Sequence, residues 1–518
     1  MVHHFQSRFT RLTLIGILVS CRCCDVRHNH ELASVALAAP SRDEHLAEQL
    51  AAEIDTHVRG AVSIAGPPGR PPSVTQHEAL AVAGSWTEIW PDADGRETTR
   101  PVRGRIWNAA IQAALAEHNA VFLPLMDSPY YLNEPIVLKS GQRLLADPGA
   151  EIRLMPGVNT CMVRNAHLVA SQDGPVPADT EPDTQIAVEG GIWTTLATSE
   201  TQSNGNVSGR SARHGEVPSC HGVLLFNNLC GLLIRNVFIR QSRAHGVQLS
   251  NCRDFLVDGV TFEDHRRDGV HVNGPASYGV IRDVRGVTGD DVVALNAWDW
   301  RNTAPSFGPI DHILVQGVHG DPRRAGTDEI RLLPGTKTFA GSKLDCPVTD
   351  CVLRDLHDIR TVKIYDQPNL ELGRDNDYSD PIGTIRNVYF QKLVYNRPGR
   401  FQVAVNAEGL FLDDVLLNFD VTQSQYHAFK LVEIGPMSQT YKIDPHNASS
   451  WVELFSPDRD VTVHRFRLTR VRAKNDNNQL VPLADAESQL VSVADQKPNP
   501  DYPQTTPRGG TGKARLIR

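Results

Sequence analysis

Between residues 222 and 388, short apolar runs separated by polar positions return at a near-constant interval. One ladder reads GVLLF from Gly222, GVQLS from Gly246, GVHVN from Gly269, DVVAL from Asp291, EIRLL from Glu329 and TVKIY from Thr361, at spacings of 24, 23, 22, 38 and 32 residues. A second ladder sits between its members: LIRNV ending at Val237, LVDGV at Val260, VIRDV at Val284, LVQGV at Val318, VLRDL at Leu356 and TIRNV at Val388, at spacings of 23, 24, 34, 38 and 32. The β-branched content and alternation within each run predict strands. A unit of 22 to 24 residues with no long helical segment cannot bury its own apolar face, so successive units must stack. The pattern predicts an all-β fold, a right-handed single-stranded parallel β-helix, in which residues one coil apart lie about 4.8 Å from each other. A leucine-rich horseshoe has a similar period, but its leucine/asparagine consensus is missing.

Upstream, RGRIWNAAIQAALAEHNA has helical spacing and is expected to cap the N-terminal end of the coil stack. The expected organisation is an export or lipoprotein signal at 1–24, leader and linker at 25–100 with one helical patch (EHLAEQLAAEI), and the β-helix at 101–395. Late coils or a small β appendage follow at 396–494, and a Pro/Gly-rich disordered tail at 495–518. Arg8 and Arg11 precede the apolar run LTLIGILVS, which is of signal length and too short to span a bilayer. The run ends at Cys21, so secreted, periplasmic and lipid-anchored destinations all stay open.

Composition narrows the function classes. A net charge of −8 and a pI near 6.2 provide no basic field, which argues against nucleic acid as a partner. No long apolar span follows the N-terminus, so the chain is not expected to cross a membrane. The cysteines at 161, 220, 230, 252, 346 and 351 form no CxxC pair, which argues against zinc. Cys346 and Cys351 flank a short loop and either bridge or serve as small core residues.

Laid in ladder register, His221, His245, Asp268, Asp290 and Asp328 form one column, and Gly222, Gly246, Gly269, Asp291, Glu329 and Thr361 the next. Leu224, Gln248, His271, Val293, Arg331 and Lys363 form another. Asp268, Asp290 and Asp291 therefore meet on adjoining strands. Clustered carboxylates raise at least one pKa, and one protonated carboxyl beside an ionised one is what glycosidic hydrolysis needs. Neighbouring-strand spacing admits a water between acid and base and favours inversion. The same cluster suits a calcium ion, or plain polar stacking with bound water.

The stretch from about 100 to 395 resembles the pectin-lyase-like β-helix superfamily and, within it, the family 28 glycoside hydrolases (polygalacturonases). RRDGV is similar to that family's Asn-Thr-Asp-Gly motif and places its aspartate on Asp268; TGDDVVAL is similar to its Asp-Asp motif and places the pair on Asp290 and Asp291. TQIAVEGGIW resembles the strand before the family's active-site coils. The resemblance implies Asp290 as general acid and Asp268 with Asp291 activating water, without metal or cofactor. Three positions depart from it. Asp328 stands where the family's Gly-His-Gly has histidine, His319 lying on the other ladder. KIY, with Lys363 and Tyr365, stands for the Arg-Ile-Lys that grips a uronate, and Arg266-Arg267 replace the asparagine and threonine. The acid–base core matches and the substrate grip does not, so the sugar need not be galacturonate.

Other candidates line the same face. His271 lies one step from Asp268; Trp298 and Trp300, in the insertion NAWDWRNTAPSFGPI, either overhang the site as sugar-stacking platforms or cover the coil. Arg331 and Lys363 either bind an acidic group or neutralise the carboxylates; His221 and His245 either line a subsite or simply stack. The leading expectation is an exported, monomeric, inverting glycoside hydrolase acting on a polysaccharide or oligosaccharide. A polysaccharide lyase with calcium and a Lys363 or Arg331 base competes with it, as does a non-enzymatic glycan-binding surface protein.

Overall fold

The computed structural model describes residues 42–63, 69–91, 97–158, 160–171, 175–196, 213–214, 217–218, 222–299, 304–320, 329–366, 381–436, 439–442, 451–454, 460–495 and 513–517. The signal segment, Cys21, Cys220, His221, Trp300 and Asp328 lie outside them. In the early coils the two ladders are joined into long bent strands, β1 (Gly222–Arg235), β2 (His245–Asp258) and β3 (Val270–Gly286). Asn228 and Asn251, each in the left-handed region, bend the chain between the two ladder segments. Later coils separate them: β4 (Asp291–Asn296), β6 (Glu329–Leu333) and β8 (Thr361–Tyr365) continue the first ladder, β5 (Ile310–His319) and β7 (Val348–His357) the second.

All these neighbours pair in parallel, one coil on the next, as a right-handed parallel β-helix requires. Its core is visible as a single inward column: Leu224, Val247, Val270, Val293, Ile330, Val362, Phe401, Val432 and Val491 pair successively and are buried, Val491 partly. The adjacent outward column is polar for most of its length: Gln248, His271, Ala294, Arg331, Lys363, Gln402, Glu433. Period-two alternation explains both.

The pairing corrects the ladder alignment in three places. Leu225, not Leu224, precedes Gln248 in the outward column. Ala294, not Val293, lies between His271 and Arg331: Val270 pairs with Val293 on one side, and on the other a bulge between Asp291 and Val293 absorbs one residue against β6. Leu353 pairs with Phe390, so the partner of VLRDL is YFQKL and not TIRNV.

Past residue 395 the ladders continue through Arg400–Ala404, Val432–Ile434 and Val491–Val493 on one face and Asn406–Leu417 and Val461–Lys474 on another. The disordered tail expected from 495 is corrected at its end, where Ala514–Ile517 pairs in parallel with residues 461–464.

Two helices close exposed apolar surface. Helix α2 (Asn108–Glu117) buries Ile111, Ala114 and Leu115 in the main core at the N-terminal end, as the capping expectation required. Helix α1 (Arg42–Ala61) falls in the stretch read as leader and linker, yet it docks. Its Ala47, Ala51, Ile54 and Val58 pack on Leu233, Leu256, Val280, Leu314 and Val352, an outward aliphatic column of the second ladder. That column would otherwise face water, and the helix presents an i, i+4, i+7, i+11 stripe that covers it. Cys346 and Cys351 are buried free thiols, not a bridge. Among the described residues no helix is long and apolar enough to cross a membrane.

Candidate active site

The pairing of β4 on β3, Val270 opposite Val293, decides which aspartate meets Asp268. Gly246 N donates to Asp268 O and Gly269 N to Asp291 O, at 2.9 and 2.8 Å, so His245, Asp268 and Asp291 occupy equivalent positions on successive coils. Asp290 is one step earlier, beside Arg267, whose Nη1 lies 3.7 Å from Asp290 Oδ2. One oxygen from each of Asp268, Asp290 and Asp291 falls within 4.8 Å of the other two, so the structure brings all three together.

Their exposures differ sharply. Asp268 and Asp291 are buried, at 1% and 0%, while the Asp290 side chain keeps about a third of its surface open at 32%. Arg331 lies between the carboxylates, with Nη2 2.8 Å from Asp291 Oδ2 and 3.3 Å from Asp290 Oδ1. Of these the Asp291 contact is charge proximity without hydrogen-bond alignment, and neither Asp291 oxygen accepts a hydrogen bond among the described residues.

Protonation follows from these surroundings. Burial pushes the Asp291 carboxyl well up; Arg331 pulls it down, but the charges of Asp268, Asp290 and Glu329 add to burial. Burial likewise raises Asp290, joined by the negative charge of Asp268 and opposed by Arg331 and Arg267. Asp268 behaves oppositely. Burial alone would raise it, yet the hydrogen bond and charge of His271, with help from Arg331 and Arg267, hold it well below the ordinary carboxylate range. The site thus contains one firmly ionised carboxylate beside two inclined to keep their protons.

His271 does not face a substrate groove. It is 1% exposed, its Nδ1 lies 2.5 Å from Asp268 Oδ2 and its Nε2 3.1 Å from Asp299 Oδ2. Burial disfavours its charge, but the two carboxylates raise its pKa to about 9. His245 stacks flat on it, ring centroids 4.0 Å apart, and is itself fully buried, so it neither lines an open subsite nor belongs to a surface stack; its expected partner His221 lies outside the described residues. Trp298 is also corrected. It is 6% exposed, part of the main core, with its side chain against Gly335, and offers no open face for a sugar ring. Lys363 is committed to Glu329, which also binds Arg360.

Sequence reasoning missed four residues. Asp299 accepts from Asn296 Nδ2 at 2.8 Å and Asn273 Nδ2 at 3.3 Å. Asn273 and Asn296 are paired across adjoining coils in a polar ladder that also contains Asn227 and Ser250. That ladder was readable as Ser250 and Asn273 closing GVQLS and GVHVN, and Asn227 and Asn296 following GVLLF and DVVAL. His265 is held neutral, burial taking its pKa to about 4, and its Nε2–H donates to the Asp268 carbonyl at 2.8 Å. No signal marked Asp299 or His265.

No protein-family model matches the chain, and no curated protein matches it in sequence. Solved structures similar to it include an exopolygalacturonase from Thermotoga maritima (13% identity, 83% of this chain and 94% of that one, TM-score 0.47). A family 28 exopolygalacturonase from Yersinia enterocolitica is similar at 9% identity over 84% of each chain, TM-score 0.37. The surface protein and adhesin PfbA of Streptococcus pneumoniae is similar at 13% identity over 78% of this chain and 96% of that one, TM-score 0.39. The family whose motifs this chain resembles is therefore among its structural neighbours. At such identities and scores, the functional reading has to come from the chain's own residues.

Proposed function

We propose that the protein is an exported, monomeric glycoside hydrolase that cleaves a glycosidic bond by acid–base catalysis with inversion and without a metal. One observation carries the reading: an ionised, buried Asp268 within 4.8 Å of Asp290, whose raised carboxyl is the one open to solvent. Asp290 is then the acid that protonates the leaving oxygen. Asp268 Oδ1, which accepts no hydrogen bond among the described residues, is the base for water, with Asp291 beside it.

The closest oxygens are nearer than the roughly 6.5–9.5 Å usual between inverting carboxyl groups. Burial supports inversion in this reading. An aspartate nucleophile must reach the anomeric carbon, whereas Asp268 Oδ1 and both Asp291 oxygens lie below the surface. Export is part of the proposal on the strength of the apolar run after Arg8 and Arg11.

Two contacts weigh against the lyase alternative: Arg331 is held charged by Asp291 and Asp290, and Lys363 pairs with Glu329. Arg331 also supplies the positive charge that calcium would bring to the carboxylates.

The test is reducing-sugar release across neutral and acidic glycans, with the anomeric product followed by NMR. Asp290→Asn is expected to reduce turnover by about 10²–10⁴-fold while the fold persists. Chelator is expected to leave the rate unchanged. A retained anomer, an ultraviolet-absorbing unsaturated product or a fully active Asp290→Asn would overturn the proposal.

A further inference from the structure

We propose that Asp299 and His271 are positioning residues, a buried relay that fixes Asp268 as the base of the site. The inference rests on the hydrolase reading and adds to it two groups that never touch the sugar.

The chain of contacts is continuous. Asn296 and Asn273 donate to Asp299 Oδ2, Asp299 Oδ2 meets His271 Nε2 at 3.1 Å, and His271 Nδ1 meets Asp268 Oδ2 at 2.5 Å. His265 holds the Asp268 backbone from the other side through its carbonyl. Every member is closed to solvent or nearly so: the side chains of His271, Asp268 and Asp299 are 2%, 2% and 6% exposed. A carboxylate–imidazole–carboxylate row in a dry setting fixes ring orientation and tautomer, and an imidazolium between two anions compensates both.

The strand register makes the row possible. In the outward column the neighbour of His271 is Ala294, and beyond it comes Arg331. A methyl group at that position leaves His271 Nε2 room to reach across to Asp299 past the end of β4. The ring is faced by Asn273 from its own strand and Asp268 just before it, by stacked His245 from β2, and by Asp299 just past β4, held there by Asn296. Arg331 on β6 acts on both aspartates from further off.

Asp268 is thereby left with one engaged oxygen and one free of any hydrogen bond among the described residues. With His271 charged, that oxygen becomes anionic at a lower pH than the one at which Asp290 gives up its proton. The relay separates the proton states of two carboxyls that would otherwise share a proton.

Histidine-selective nitrogen NMR on the wild-type chain, with His271 assigned by its loss in His271→Asn, reads the relay directly. The expected spectrum has both His271 nitrogens protonated at pH 7. In Asp299→Asn the His271 titration is expected to fall by at least one pH unit. The alkaline limb of kcat should move with it, kcat at pH 8 should drop at least tenfold, and KM should stay within twofold. A neutral His271 at pH 7 in the wild type overturns the relay without recourse to any variant, as does an unmoved titration in Asp299→Asn. A wild type that releases no sugar while His271 stays charged overturns instead the hydrolase reading, and with it the catalytic purpose of the relay.

Discussion

At the scale of single residues, the aspartates illustrate how neighbouring positions in one motif acquire opposite properties. Asp290 and Asp291 are adjacent in the chain, yet one opens to solvent beside Arg267 and the other is sealed above Arg331. His271 has a measurable consequence for stability. Its folded pKa is about 9 against 6.5 for the free side chain, so the folded state binds the extra proton between those values. The stabilisation is complete below about pH 6.5 and is lost as pH rises through about 9, amounting to roughly 3 kcal/mol on linkage. Urea unfolding at pH 6, 7.5 and 9 is expected to show this decline, and His271→Asn to flatten it. The three catalytic candidates were legible because carboxylates recurring at one-coil spacing are rare. Asp299 was not, since it lies past the end of a strand, between two tryptophans and off the one-coil interval.

At the scale of elements, period and composition were enough to find the strands but not their mutual register. DVVAL and GVHVN share a pattern, yet the partner of GVHVN is VVALN, and a bulge after Asp291 then restores Glu329 as the partner of Asp291 on the next coil. A one-residue shift moves each side chain to the other face, which is why Ala294 and not Val293 borders His271. Gly269 holds this junction together. A Cβ there would lie 2.6 Å from the Val292 carbonyl oxygen and 2.7 Å from Phe262 Cε2, and backbone cannot yield as a flexible side chain does. Gly269→Ala is expected to cost about 1–3 kcal/mol and to displace Asp268. Gly60→Ala in α1, where nothing lies within 4 Å, is the control and is expected to be neutral or slightly stabilising. Paired thermal melts check both.

At the scale of the whole molecule, the coil stack was readable from end to end, whereas its outer covering was not. The EHLAEQLAAEI patch shows helical spacing in the sequence, but nothing there tells that Ile54 ends up wholly buried against a column assembled from five coils. Ile54→Asp places a carboxylate in that seam and is expected to release the helix at a cost of about 3 kcal/mol or more. Limited proteolysis near residues 42–61 should accelerate while far-ultraviolet dichroism keeps its β signature. The docking site of α1 also bears on the order of assembly. The helix leaves the ribosome before any strand that receives it, and its seat stays incomplete until Phe411 has been made and wound into place. Local contacts form early and distant ones late, so this segment waits as an unpaired amphipathic strip through most of synthesis and closes over the finished coils as one of the last steps.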